Sequence, residues 1–90
     1  MEVASGGRMA SVTVRVRFSG PLAESLGPRR AIRVDEGATV EELLEALVRE
    51  ARIDGGVDAL AAIAGGRFLE RSHALADGDE IDVLVPVAGG

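Results

Sequence analysis

The sequence predicts an α+β fold in which a mixed sheet of four or five strands packs against one main helix. Apolar and polar residues alternate strictly in SVTVRVRF, which indicates a half-buried strand. A capped amphipathic helix follows near the middle of the chain, and a second apolar strand, EIDVLVPV, lies close to its end. Because one amphipathic helix covers only one face of a sheet, these observations favour a two-layer domain.

The first strand is preceded by residues 1–10, which are small, polar and glycine-containing. We predict a disordered N-terminal extension there. After the strand, Pro21 is expected to begin a short helix or loop over 21–26. The sequence RRAIRV then predicts a second strand, antiparallel to the first, with Ile32 and Val34 facing inward.

The main helix is predicted from the sequence ATVEELLEALVREA. Thr39 is the expected N-cap, and Glu42 three residues later completes a capping box. Glutamates occupy the early turns and arginines the end, as the helix dipole favours. The apolar positions form a single stripe, which comprises Val40, Leu43, Leu44, Leu47, Val48 and Ala51.

The remainder of the chain predicts a loop and three short strands. IDGGVDAL is a loop with room for a short helical turn, and AAIAGGRFL is two strand pieces around a glycine turn at 65–66. ADGDE is a further turn, and EIDVLVPV is the last strand, with Ile81, Val83 and Val85 on one side. The predicted domain therefore spans residues 11–85.

The first and last strands are the most apolar, so we place them at the centre of the sheet. Both strands then start from the same end of the sheet and form a parallel pair, with the main helix in the crossover between them. This arrangement of one helix across a mixed sheet is the β-grasp fold.

Composition excludes several classes of function. The chain of 90 residues has no cysteine, so disulfides, thiolate metal sites and cysteine nucleophiles are excluded. A net charge of -5 argues against nucleic acid as the main partner and suits a basic protein surface instead. No apolar run reaches membrane-spanning length and the N-terminus is unlike a signal peptide, so we expect a cytoplasmic protein that does not bind membranes.

No constellation of residues indicates a free-standing enzyme or a metal site. His73 is the only histidine and is expected to be a surface residue in a turn. The DGD sequence at 77–79 lacks the spacing of a calcium loop and is expected to be a turn. We therefore predict no metal, no cofactor and no catalysis by the chain alone.

The C-terminal sequence PVAGG, residues 86–90, is predicted to be a flexible tail. Pro86 cannot donate a ladder hydrogen bond, so strand pairing should stop there, and five extended residues reach about 17 Å. Gly89 and Gly90 lack Cβ atoms and could enter a channel too narrow for larger residues. A terminus without function is the alternative interpretation of this tail.

Three segments of the sequence carry a resemblance to a known family. They are VTVRVRFSGPLAESLG, VDEGATVEELLEAL and LADGDEIDVLVPVAGG. From Val12 to Gly90 the chain resembles the MoaD/ThiS family of ubiquitin-like sulfur carriers, and within it the small subunits of molybdopterin synthase.

The resemblance implies a non-catalytic sulfur-carrying subunit of a molybdopterin synthase-type complex. Gly90 would be adenylated by an ATP-dependent adenylyltransferase related to ubiquitin-activating enzymes, and a sulfur donor protein would convert it to a thiocarboxylate. The synthase large subunit would receive the tail and use the sulfur in molybdenum cofactor biosynthesis. Gly89 would belong to the reacting site as the slim residue behind Gly90. The residues expected to bind partners are Pro86, Val87 and Ala88 in the tail and the interface candidates Leu84 and Phe68. Core packing is an equal alternative for Phe68.

Two further functions remain open at this point. The same chemistry at Gly90 could supply sulfur for cysteine, thiamine or tRNA thiolation, although thiamine carriers usually lack the segment between residues 20 and 28. Gly90 could also form isopeptide bonds with target lysines, as a ubiquitin-like modifier does. The chain itself contains no lysine, so it could not build side-chain-linked polymers.

Overall fold

The computed structural model describes residues 2–3 and 10–86, and its elements agree with the predicted fold class. The strands are β1 Glu2–Val3, β2 Ser11–Phe18, β3 Arg29–Asp35, β4 Ala61–Ala64, β5 Arg67–Phe68 and β6 Glu80–Leu84. The helices are α1 Pro21–Leu26 and α2 Val40–Ala51, with a 3-10 turn at Gly56–Ala59.

The sheet has the strand order β1-β3-β2-β6-β4-β5, with β2 and β6 as a parallel pair at its centre. β3 runs antiparallel to β2, and β4 runs antiparallel to β6. The predicted central pair is therefore confirmed, with α2 in the connection between its two strands. The physical reason is burial, since the two most apolar strands gain most when neighbours cover both of their edges.

The core lies between α2 and one face of this sheet. In β2, Val14, Val16 and Phe18 are buried while the arginines between them are exposed. The register pairs Val16 with Ile81 and Phe18 with Val83, so the inward residues of the two central strands share one face. The α2 residues that cover this face are Val40, Leu43, Leu44 and Leu47.

The capping box at the start of α2 is formed as predicted. The Glu42 backbone N–H donates to the Thr39 hydroxyl, and the Thr39 backbone N–H donates to the Glu42 carboxylate at 3.0 Å. These two bonds satisfy donors that the first helical turn would otherwise leave unpaired. At the other end, the residue that follows the helix, Arg52, adopts the left-handed conformation with φ 53 and ends it.

Substitution of Thr39 by alanine is expected to lower the free energy of unfolding by about 1 kcal/mol, because the side chain accepts a bond from the helix N-terminus. Thr39→Ser retains the hydroxyl and is expected to lie close to the wild type. Urea unfolding followed by circular dichroism measures both. Equal loss in the two variants would show that packing by the threonine methyl group, and not the cap, is responsible.

The structure differs from the sequence prediction at two places. Glu2–Val3 form β1, parallel to β3, within the segment 1–10 that was predicted to be disordered, whereas residues 4–9 lie outside the described residues. Without β1, β3 would leave its outer backbone groups unpaired at the sheet edge. Val85, predicted to face the core, is 42% exposed because β6 ends at Leu84, which already pairs with the first residue of β4.

Candidate functional site

The tail leaves the domain at the end of β6. Leu84 is the last residue of that strand and is half-buried, while Val85 and Pro86 follow it and are exposed. Proline has no N–H to donate, so the ladder cannot extend through Pro86. The other predicted tail residues lie outside the described part of the chain, and they are Val87, Ala88, Gly89 and Gly90.

An apolar strip lies on the outer face of the sheet beside the point where the tail departs. We define it as Ala61, Ile63, Phe68 and Leu84. The register pairs Ala61 with Leu84 and Ile63 with Phe68, so these side chains share the face away from α2. The structure thus brings the predicted interface candidates Leu84 and Phe68 onto one surface.

Phe68 is the most exposed large apolar side chain among residues 10–86. It has 71% of its surface open to solvent, so it does not pack in the core, which was the alternative interpretation of this residue. An exposed aromatic residue within a group of apolar neighbours is typical of a protein-binding surface. Ala61 and Ile63 belong to the strip but were missed, although they are two residues apart in the strand before the glycine turn, and that spacing places them on one face.

A charged pair borders the strip on the side of β2. The Arg17 guanidinium contacts both oxygens of Asp82, with Nε–Oδ1 at 2.6 Å and Nη2–Oδ2 at 3.1 Å. The hydrogen bond to Asp82 and its negative charge raise the pKa of Arg17 above its usual value. Asp82 also pairs in register with Ile63, so the ion pair meets the middle of the strip. This arrangement places a polar margin beside an apolar surface.

His73 and the DGD turn at 77–79 lie in the segment between β5 and β6. His73 is exposed in the loop after β5, and no group of three or more metal-ligating side chains occurs within the described residues. The carboxylates of the DGD turn bond to backbone. Asp77 accepts from the Thr13 N–H at 2.8 Å and Asp79 from the Ala76 N–H at 2.9 Å. The turn therefore fastens the start of β2.

Comparison with models of protein families identifies the family of this chain. A model of the ThiS family matches residues 16–90, from the middle of β2 through the last residue of the tail. The chain belongs to the ThiS family. ThiS family proteins are small ubiquitin-like β-grasp carriers that are generally non-catalytic. Proteins of this kind generally work with an adenylyltransferase and the large subunit of a synthase.

Solved structures support the ThiS family fold. The Haloferax volcanii HVO 2177 protein is 30% identical with a TM-score of 0.75, over 98% of this chain and 95% of that one. The H. volcanii small archaeal modifier protein 1 is 28% identical with a TM-score of 0.69, over 84% and 99%.

A third structure, a putative molybdopterin converting factor subunit 1 from Pyrococcus furiosus, is 23% identical with a TM-score of 0.70, over 84% and 99%. At this identity the likeness shows the β-grasp fold alone. No curated protein matches the chain in sequence.

Among the described residues, no helix is long and apolar enough to cross a bilayer.

Proposed function

We propose that the chain is a sulfur carrier whose C-terminal Gly90 is converted to a thiocarboxylate, and that it supplies sulfur for molybdopterin synthesis as the small subunit of a molybdopterin synthase. The main observation in support of this function is that the ThiS family match extends through the Gly-Gly sequence to Gly90. We also propose that the chain acts in the cytoplasm.

The chemistry begins with activation of the Gly90 carboxyl group. A carboxylate is a poor acyl donor, so one of its oxygens attacks the α-phosphorus of ATP, and pyrophosphate leaves. The terminal sulfur of a persulfide on the donor protein then attacks the carbonyl carbon of the acyl adenylate, and AMP leaves with the bonding electrons, which gives an acyl disulfide. A second thiolate attacks the donor's own sulfur and forms a disulfide with it, and the thiocarboxylate of Gly90 leaves with the electrons of the broken S–S bond. The chain contributes the acyl group, and its partners contribute the catalytic residues.

The tail sequence suits delivery into an enclosed site. Gly89 and Gly90 lack side chains, so the reacting carbonyl could pass through a channel that excludes water. The domain would bind the partner through the apolar strip, which borders the point where the tail departs. Burial of Phe68 and its neighbours would supply part of the affinity, at roughly 25 cal/mol per Å² of apolar surface.

Intact-mass spectrometry tests the carrier chemistry directly. The chain is incubated with an adenylyltransferase from the same organism, ATP and a sulfur source. We expect a mass increase equal to the replacement of one oxygen by sulfur, dependent on ATP. An unchanged mass with an adenylyltransferase that is active on another carrier would contradict the proposal.

The acceptor pathway requires a second measurement. The thiocarboxylated chain is mixed with a molybdopterin synthase large subunit and its pterin precursor, and molybdopterin formation is followed by fluorescence of its oxidised product. We expect one chain to be consumed for each sulfur transferred. Turnover only with a cysteine-synthesis, thiamine or tRNA-thiolation enzyme would assign the sulfur to that pathway instead.

Attachment to other proteins is the second candidate function. It is favoured by the 28% identity to the H. volcanii small archaeal modifier protein 1. In that case Gly90 forms an isopeptide bond with a lysine of a target protein. Since this chain has no lysine, we expect single attachments and no polymers linked through its side chains. Immunoblots of cell extract that show discrete higher-mass conjugates, absent when Gly90 is deleted, would support it.

A further inference from the structure

A cluster of arginines occupies the outer face of the sheet on the side opposite the free edge of β5. We define the arginine face as Arg15 and Arg17 on β2 with Arg29 and Arg33 on β3. All are exposed, and the register pairs Arg17 directly with Arg29. Although the chain has a net charge of -5, four of its ten basic residues meet on this one surface. This local charge is opposite in sign to that of the whole molecule.

The arginines of this face are unequally compensated by carboxylates. Arg17 is paired with Asp82, and Arg33 donates to the Ser11 hydroxyl at 3.3 Å. Within residues 10–86, Arg15 and Arg29 form no ion pair. Asp82 offsets the charge of Arg17, so the charges of this face that an anionic group could neutralise are those of Arg15 and Arg29.

The space between these arginines can accept such a group. A groove of about 370 Å³ lies between β2 and β3, and the side chains of Arg15, Arg17 and Arg29 line it together with Glu80. A guanidinium binds a carboxylate through two parallel N–H donors. The groove can therefore receive carboxylate side chains from a partner. On the side of β6, the Glu80 carboxylate repels an approaching anionic group.

We propose that the arginine face binds an acidic surface of the adenylyltransferase that activates Gly90. The Arg17–Asp82 pair joins the arginine face to the apolar strip. Together they form a single surface with an apolar part and a charged margin, as protein interfaces have. A nucleic acid is the less suitable occupant. No aromatic side chain lies on the arginine face to stack a base, since Phe18 is buried and Phe68 lies across the sheet, and Glu80 and Asp82 repel a phosphate backbone. The inference rests on the proposed function only in naming the adenylyltransferase as the partner.

Nuclear magnetic resonance of the labelled full-length chain tests the face without any partner enzyme. The probes are an oligoglutamate peptide and an oligothymidylate of equal charge. We expect the peptide to shift the backbone amides of Arg15, Arg29 and their neighbours, and increasing salt to reverse the shifts. Shifts centred elsewhere, or tighter binding of the oligothymidylate at equal charge, would overturn the proposal.

Charge reversal provides the matched comparison. The double variant Arg15→Glu/Arg29→Glu is expected to weaken peptide binding at least about tenfold, because two attractions become repulsions. Arg49→Glu/Arg52→Glu makes the same change in net charge at the exposed end of α2 and is expected to bind as the wild type does. Thermal unfolding establishes that both variants are folded. Equal weakening in the two variants would refute a specific surface and leave only an effect of net charge.

The adenylyltransferase assay then separates this inference from the proposed function. If the wild type is activated, the Arg15→Glu/Arg29→Glu variant should show a KM for the carrier raised about tenfold with kcat unchanged, and the α2 variant should not. An unchanged KM would show that the face does not contact the activating enzyme and would overturn the assigned partner. Failure of the wild type to be activated would reject the carrier function, while the peptide titration would still decide the arginine face.

Discussion

Deletion of Gly90 is expected to abolish thiocarboxylate formation and to leave the free energy of unfolding unchanged. The shortened chain still ends in a glycine carboxylate, but its reach is reduced by one residue, or about 3.4 Å. Displacement of a reacting atom by about 1 Å can lower a rate by 10²-fold, so this loss of reach should prevent attack on ATP. Among the described residues, the last core residue of the sheet is Val83, which precedes the deleted residue by seven positions in the chain. Mass spectrometry and urea unfolding measure the two effects.

The control for this deletion preserves the length of the tail. Gly90→Ala retains the reach and the carboxylate but adds a methyl group at the reacting residue. If a narrow channel receives the tail, this variant should react measurably but more slowly than the wild type. Sulfur uptake by the chain that lacks Gly90 at the wild-type rate would refute the assignment of Gly90 as the sulfur-bearing residue.

Substitution of Phe68 by alanine is expected to weaken partner binding roughly 30-fold or more and to change stability by less than about 0.5 kcal/mol. The side chain is 71% exposed, so its removal from the free protein costs little burial. In a complex, an aromatic side chain buried among apolar neighbours often contributes 2 kcal/mol or more, which corresponds to about 30-fold in affinity. Calorimetric titration with the adenylyltransferase or with the synthase large subunit measures this effect.

Phe18 is the appropriate contrast, because the chain contains only these two phenylalanines. Its side chain is 6% exposed and belongs to the core. Phe18→Leu should therefore lower the free energy of unfolding by about 1 kcal/mol and leave the affinity of the folded protein unchanged. If Phe68→Ala instead lost stability and retained its affinity, the apolar strip would not be the binding surface.

The local pattern of residues predicted most elements because their structure depends on close neighbours in the chain. Thr39 and Glu42 are three residues apart, so the capping box could be identified without knowledge of the fold. Alternation in β2 and the apolar stripe of α2 predicted which residues are buried, and the two most apolar strands were correctly placed side by side. These are properties of spacing, and spacing can be read from the sequence.

The features that depend on register could not be read in this way. Phe68 was consistent with either the core or the surface until its pairing with Ile63 placed it on the outer face. The edge pairing of Glu2–Val3 with β3 was missed, because a two-residue strand has no periodicity of its own. The arginines of β2 were predicted to face away from the core, and those of β3 were assigned to neither face. Only the antiparallel register brought Arg17 opposite Arg29.

The sequence was sufficient to identify the β-grasp fold, the membership of the ThiS family and the candidate reacting residue, Gly90. The division of the outer face of the sheet into two surfaces depends on the three-dimensional fold. It joined Ile63, Phe68 and Leu84 from three strands into the apolar strip, and it collected arginines from β2 and β3 beside it. The physical reason is that burial is encoded by local periodicity, whereas a surface shared by several strands arises only when hydrogen bonding fixes their order and register.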